Sequence, residues 1–231
     1  MRATVRSIDK GLQASESASR SELISYPILF WVFLSGSVIG YLLEGIWCVL
    51  RLGHWESHSS TVWGPFCIVY GLGAVAMHCL SVWMHGKNQS IRFCAFALAG
   101  TAVEFVSGVF QEICFGTYSW DYSHMYLSIG GKISLGMTLL WGFLGLVFMR
   151  WVFPFLTKLL SFAMGKGWQI ACKVCTLLMC INLLVTGAVL ARWESRNQGS
   201  LPSNFVEQAI DRHWDDNWMQ KRYPNMRFVE E

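Results

Sequence analysis

VEFVSGVFQEICFGTYSWDYSHMYLSIGGKISLGMTLL, residues 103–140, is the stretch that decides how the chain is read. It begins inside an apolar run that carries Glu104, Gln111 and Glu112. It leaves that run at Gly116, passes Trp120-Asp121-Tyr122-Ser123, and enters a second apolar run after Gly131-Lys132. A carboxylate at the centre of a membrane helix costs about 2.5–3.5 kcal/mol on insertion scales, and such residues face a bundle interior or a watery cavity. The stretch therefore reads as two membrane helices joined by a structured aromatic loop, with their ionisable groups turned inward.

The surrounding composition agrees. The chain is 53% hydrophobic and only 14% charged, and its mean hydropathy is +0.37. Soluble domains carry about 25% charged residues, so this chain has too few to coat its own surface. Twelve Trp and seven Tyr suit the aromatic belts of a bilayer interface. The net charge of +3 is too small and too dispersed for a nucleic-acid partner.

Working outward, five runs approach the roughly 20 apolar residues that cross a bilayer: 27–50, 62–84, 91–115, 133–155 and 168–191. The fold class expected is an all-α integral membrane protein, a bundle of about five helices over residues 26–191. Pro27 and Pro65 each fall where a first helical turn is expected, a position that tolerates the missing N–H. Residues 1–25 are polar and read as a flexible arm, without the apolar core of a signal peptide. In the tail, 192–231, Val206, Ile210, Trp214 and Trp218 recur every four residues. Asn204 followed by Glu207 gives a capped start, and Pro224 a stop. One amphipathic helix is expected there, docked on the protein's own outer face.

Lys and Arg set the orientation. With the N-terminus inside, the inner side receives Lys87, Arg92, Arg150, Lys158 and Lys166 besides the basic residues of the arm. The outer side receives Arg51, Lys132, Arg192 and Arg196. The positive-inside rule then gives a multi-pass protein of the cytoplasmic (plasma) membrane, N-terminus inside and C-terminus outside.

Under that orientation Glu44, Glu104, Asp121 and Lys132 all lie in the middle or outer half of the bundle. Ser37, Glu44 and Arg51 share a helix face with Gly40, and Glu104, Gly108 and Gln111 form a similar face on the third helix. Trp120 and Tyr122 are placed to cap a pocket beneath their loop, with Gly130-Gly131 turning the chain sharply before Lys132. The bland alternative is a structural lock, in which Arg51 or Lys132 neutralises the two glutamates. His54, Glu56 and His58 in the first loop, and Asp211, His213, Asp215 and Asp216 in the tail, are metal-type combinations. Both sets read as solvated polar residues, so no metal and no cofactor is expected.

An ordered series of short motifs carries a family resemblance. Gly40-x-x-x-Glu44, Trp63-Gly64-Pro65-x-x-x-x-Tyr70-Gly71, Glu104-Phe105, Trp120-Asp121-Tyr122-Ser123, Gly131-Lys132-Ile133-Ser134-Leu135 and Trp141-Gly142 resemble the bacterial, permease-like membrane family called "putative ABC-transporter type IV". A eukaryotic transmembrane family of unknown function is similar around the Trp-Asp-Tyr-Ser loop. The resemblance covers about residues 28–156, leaving the fifth helix and the tail outside. Ile68 stands where the family has Pro, and Lys132 where it has Arg, which keeps the charge but loses the planar fork.

The resemblance implies a permease or transporter component and adds Tyr70 to the candidate ligand-binding residues. No G-x-x-x-x-G-K-[ST] loop occurs in the chain, so any ATPase would be a separate subunit. Membrane lipid is the other expected partner, and a homo-oligomer is left open. Two alternatives stand beside transport. One is a membrane-embedded enzyme or lipid-handling protein acting at the outer leaflet, with the carboxylates as acid and base. The other is a structural or assembly partner.

Overall fold

The computed structural model describes residues 21–160 and 165–229. The expected flexible arm lies almost wholly outside the described residues. Helix α1 (Tyr26–Leu52) starts with a proline in its first turn, as expected, and ends at Gly53, whose φ of 79° closes it in a left-handed cap. Helix α2 is Ile68–Trp83 and α3 is Gln89–Phe115, capped by the Asn88 side chain on Ile91 N. Helix α4 (Leu135–Val147), capped by Ser134 on Met137 N, passes through one π-helical turn (Phe148–Val152) into α5 (Phe153–Leu160). Helix α6 is Lys166–Asn197.

Among the described residues four helical segments are long and apolar enough to cross a membrane: Tyr26–Leu52, Gln89–Phe115, Leu135–Leu159 and Lys166–Asn197. Their outward faces carry exposed Ile46, Leu98, Ile113 and Leu184, which suits contact with lipid. The all-α membrane bundle expected from the sequence is therefore the fold.

The second run departs from expectation. Its helix has 16 residues, about 24 Å at 1.5 Å each, against a hydrocarbon core of about 30 Å. Pro65 is not in its first turn but precedes it, in irregular backbone. Ser59, Thr61 and Val62 of that segment are nonetheless buried. Non-helical backbone at membrane depth is tolerated only where protein satisfies it, and here three side chains from two helices do so. Asn182 of α6 accepts from Trp63 N at 3.3 Å and donates to Trp63 O at 2.8 Å. Thr186 accepts from Val62 N at 3.0 Å. Arg222 reaches in from the tail to Thr61 O and Gly64 O, at 2.7 and 2.6 Å.

The close helix pairs are built on small residues. A Cβ at Gly40 of α1 would overlap the Tyr70 ring of α2, and one at Gly100 of α3 would overlap Trp141 of α4. Such positions let membrane helices approach at van der Waals distance, where no hydrophobic force drives them together. Ile28, Val32, Met77, Phe96, Trp141, Phe148 and Leu156 fill the space between α1 and α5. Phe30, Cys172 and Met179 join α6 to α1, so Cys172 packs as an apolar residue.

The tail docks on the bundle, but as two short helices rather than one. Helix α7 (Phe205–His213) starts on the Asn204 cap. Asp215 breaks the run by accepting from Trp218 N, and so caps α8 (Asp216–Arg222). The break lets Ile210 and Met219 both face α6, where they bury against Val62, Val189, Leu190 and Trp193. Val206, at the start of the expected stripe, is left exposed. Helix α6 has 32 residues, about 48 Å, so it outruns the bilayer and its end serves as the mount. Arg192 forks onto Asp211, Nε to Oδ1 at 3.0 Å and Nη2 to Oδ2 at 2.8 Å. Arg196 binds Asp211 and Asp216. After α8, β2 (Arg227–Phe228) pairs antiparallel with β1 (Thr117–Tyr118), which fastens the tail to the loop following α3.

Candidate functional site

Glu44, Tyr70, Glu104 and Trp141 come from four different helices and lie in one polar layer across the bundle. Tyr70 OH donates to Glu44 Oε1 at 2.5 Å. On the far side, Tyr122 OH donates to Glu104 Oε1 at 2.9 Å and Trp141 Nε1 to Glu104 Oε2 at 3.0 Å. The Tyr70 and Trp141 rings lie between the two acids, their centroids 6.4 Å apart. The carboxylates thus face one aromatic pair from opposite sides and do not bond to one another. Glu104 is only 5% exposed, and both its oxygens are taken by neutral donors.

That arrangement corrects the expected structural lock. Arg51 is exposed on the last turn of α1, and Glu44 instead has His58 Nδ1 3.5 Å from its Oε2. Lys132 pairs with Glu112, not with Glu104. Glu104 is held by a phenol and an indole, groups that orient a carboxylate without cancelling its charge as a lysine would. Glu44 instead faces a phenol and an imidazole that its carboxylate raises above the ordinary histidine range.

Above the layer, the loop between α3 and α4 folds back over the bundle. Tyr122 N donates to Gly131 O at 2.7 Å and Trp120 Nε1 to Lys132 O at 3.0 Å. Gly131, at φ 68°, leaves room for Asp121, whose Oδ1 would crowd a Cβ there. Asp121 accepts from Ser123 N and Oγ at 2.8 and 2.6 Å, and these bonds hold its carboxyl below the usual range. Burial pushes the Tyr122 phenol well above its ordinary value, so it stays a proton donor to Glu104.

A cleft of about 270 Å³ opens beside this loop, lined by Gln111, Glu112, Trp120, Asp121 and Lys132 among others. Gln111 donates to Ser119 Oγ at 2.8 Å. The eight residues singled out by sequence therefore fall into two tiers. Glu44, Tyr70, Glu104 and Tyr122 form the layer, of which Glu104 is buried and the others half-buried, and Gln111, Trp120, Asp121 and Lys132 border the cleft over it. Trp141, Glu112 and His58 complete these contacts and were not among the eight. Trp141 stood in the motif series without a role of its own, although an indole N–H in an apolar run needs an acceptor.

Four membrane-length helices around an internal polar layer make this a multi-pass membrane protein. The chain belongs to the family described as "Putative ABC-transporter type IV", which matches residues 31–187. That span takes in Asn182 and Thr186 of α6, so most of the fifth expected run is part of the family match, while residues 1–30 and 188–231 lie beyond it. No curated protein and no solved structure matches the chain.

Proposed function

We propose that the chain is the permease component of a transporter in the plasma membrane, with its N-terminus inside. Its substrate site is the layer between Glu44 and Glu104, and Tyr122 is the lid. The observation that carries this reading is Glu104, buried in the bundle and held by neutral donors alone, with Glu44 on the other side of Tyr70 and Trp141. Among the described residues no lysine or arginine is paired with either acid, so a cationic ligand meets no competing lysine or arginine there, and aromatic faces beside them favour a cation. The substrate class that fits is an organic cation or amine. Glu104 is sealed beneath Tyr122, so the described conformation corresponds to a closed lid. Closing over a ligand excludes water and strengthens the charge interactions beneath.

The ATPase that drives the cycle is a separate subunit. It approaches the end of the bundle that carries Lys87, Arg92 and Arg150, opposite the lid.

Thermal unfolding of the purified full-length protein tests the site. Organic cations should raise the melting temperature where matched neutral and anionic solutes do not, and Glu104→Gln should remove the shift. A shift produced by phospholipid alone, retained in Glu104→Gln, would replace transport with lipid handling.

A further inference from the structure

The segment between α1 and α2 gathers a second group of side chains, of which the carboxylate layer uses only His58, through its Nδ1. Cys48 stands on α1 one turn beyond Glu44 and is 4% exposed. Glu56 and His58 come back against it from the segment that follows. Cys48 Sγ lies 3.4 Å from His58 Nε2, and that nitrogen lies 3.7 Å from Glu56 Oε2. One donor atom from each of the three lies within 4.8 Å of the others.

The two distances to His58 match a single tetrahedral ion. With a Zn–S bond near 2.3 Å and Zn–N or Zn–O bonds near 2.0–2.2 Å, two ligand atoms sit about 3.4–3.6 Å apart. The outer contacts are also those of a metal centre. A metal-bound histidine gives its other ring nitrogen to a carboxylate, and His58 Nδ1 faces Glu44 Oε2 at 3.5 Å. The second oxygen of Glu56 is held by His54 Nε2 at 3.1 Å. The charges close as well: a thiolate and a carboxylate balance a divalent ion.

We propose that Cys48, Glu56 and His58 bind a divalent transition metal, zinc being the ion that the thiolate, imidazole and carboxylate set suits best. Binding releases the Cys48 thiol proton to water. Three protein ligands leave a fourth position for water or a ligand atom. The site stands apart from the transport reading, since none of its three ligands lies in the layer between the glutamates. It touches that layer only through Glu44, which a bound metal would fix in place through His58.

The test uses the full-length, metal-stripped protein in detergent, titrated with Co2+ and then Zn2+. One equivalent of Co2+ should bind with a thiolate-to-cobalt absorption band, and Zn2+ should displace it. Cys48→Ser should abolish the band and weaken zinc by at least about 100-fold, while Cys94→Ser, on an exposed position of α3, should change neither. Glu44→Gln should weaken zinc by about 10–100-fold, as loss of an outer carboxylate does. X-ray absorption at the zinc edge of the unaltered protein reads the ligands without any variant, and should show one sulfur with nitrogen and oxygen. Absence of stoichiometric binding, binding that survives Cys48→Ser, or a shell without sulfur would each overturn the proposal.

Discussion

Tyr122 lies 18 positions after Glu104, and its phenol returns across the end of α3 to donate to that carboxylate at 2.9 Å. One bond therefore ties the extramembrane loop to a charge inside the bundle. Tyr122→Phe keeps the ring and deletes the donor. It should cost about 1–3 kcal/mol, the range for leaving a buried acceptor unmet. It should also raise hydrogen exchange across residues 116–134. Unchanged exchange there would separate the loop from the layer.

Trp141 supplies the other donor to the same carboxylate. Trp141→Phe and Glu104→Gln should each lower the melting temperature. Their double variant should fall short of the sum, because both remove one interaction. Strict additivity in that cycle would mean that the indole contributes packing alone.

The approach of α1 to α2 at Gly40 leaves no room for a side chain. Gly40→Leu should destabilise the protein by about 1–3 kcal/mol or more, as overpacking does. It should also displace Tyr70 from Glu44. Gly53, with open space around it, is the control position: Gly53→Ala there meets strain only from its backbone conformation.

The docked tail depends on carboxylates that the fold holds below their ordinary range. Asp211 is held down chiefly by Arg192, and Glu207 chiefly by the Ser203 N–H. A group with a depressed folded pKa stabilises above its unfolded value, about 3.9 for Asp, and loses that contribution as pH falls through the folded value. The tail should therefore stay protected from protease at neutral pH and be released in strong acid. Arg192→Gln should shift that release to higher pH.

Orientation is testable directly. In intact cells an impermeant thiol reagent should label Ser123→Cys and leave Asn88→Cys untouched, in a background lacking the exposed native cysteines. The opposite pattern would invert the topology.

Much of this was legible beforehand, because lipid makes a strict solvent. Charges in apolar runs have few permitted positions, so Glu44, Glu104 and the aromatic loop stood out. The helices over 26–52, 89–115 and 166–197 could be read to within a few residues at most ends. What stayed hidden was pairing. Lys132 has three acids within reach by sequence, and only the fold chooses Glu112. The short α2 was hidden because residues 62–67 are as apolar as a helix. Their irregular path depends on Asn182, Thr186 and Arg222, all more than a hundred positions away. The split in the tail lay in Asp215, which reads equally well as the polar face of one helix or the cap of another.

The clamp on that irregular segment sets a timetable for biogenesis. Arg222 is 163 positions beyond Ser59, so at about 5–20 residues per second the ribosome delivers it some ten seconds or more after the carbonyls it serves. Until then, among the described residues, Thr61 O and Gly64 O have only the Ser59 hydroxyl to meet them, one donor for two carbonyls. A wet surrounding, at the mouth of the insertion machinery or at the bilayer surface, suits the segment until the guanidinium arrives. Maturation of this membrane protein is thus completed from its water-exposed end, after the helices that frame it have already crossed.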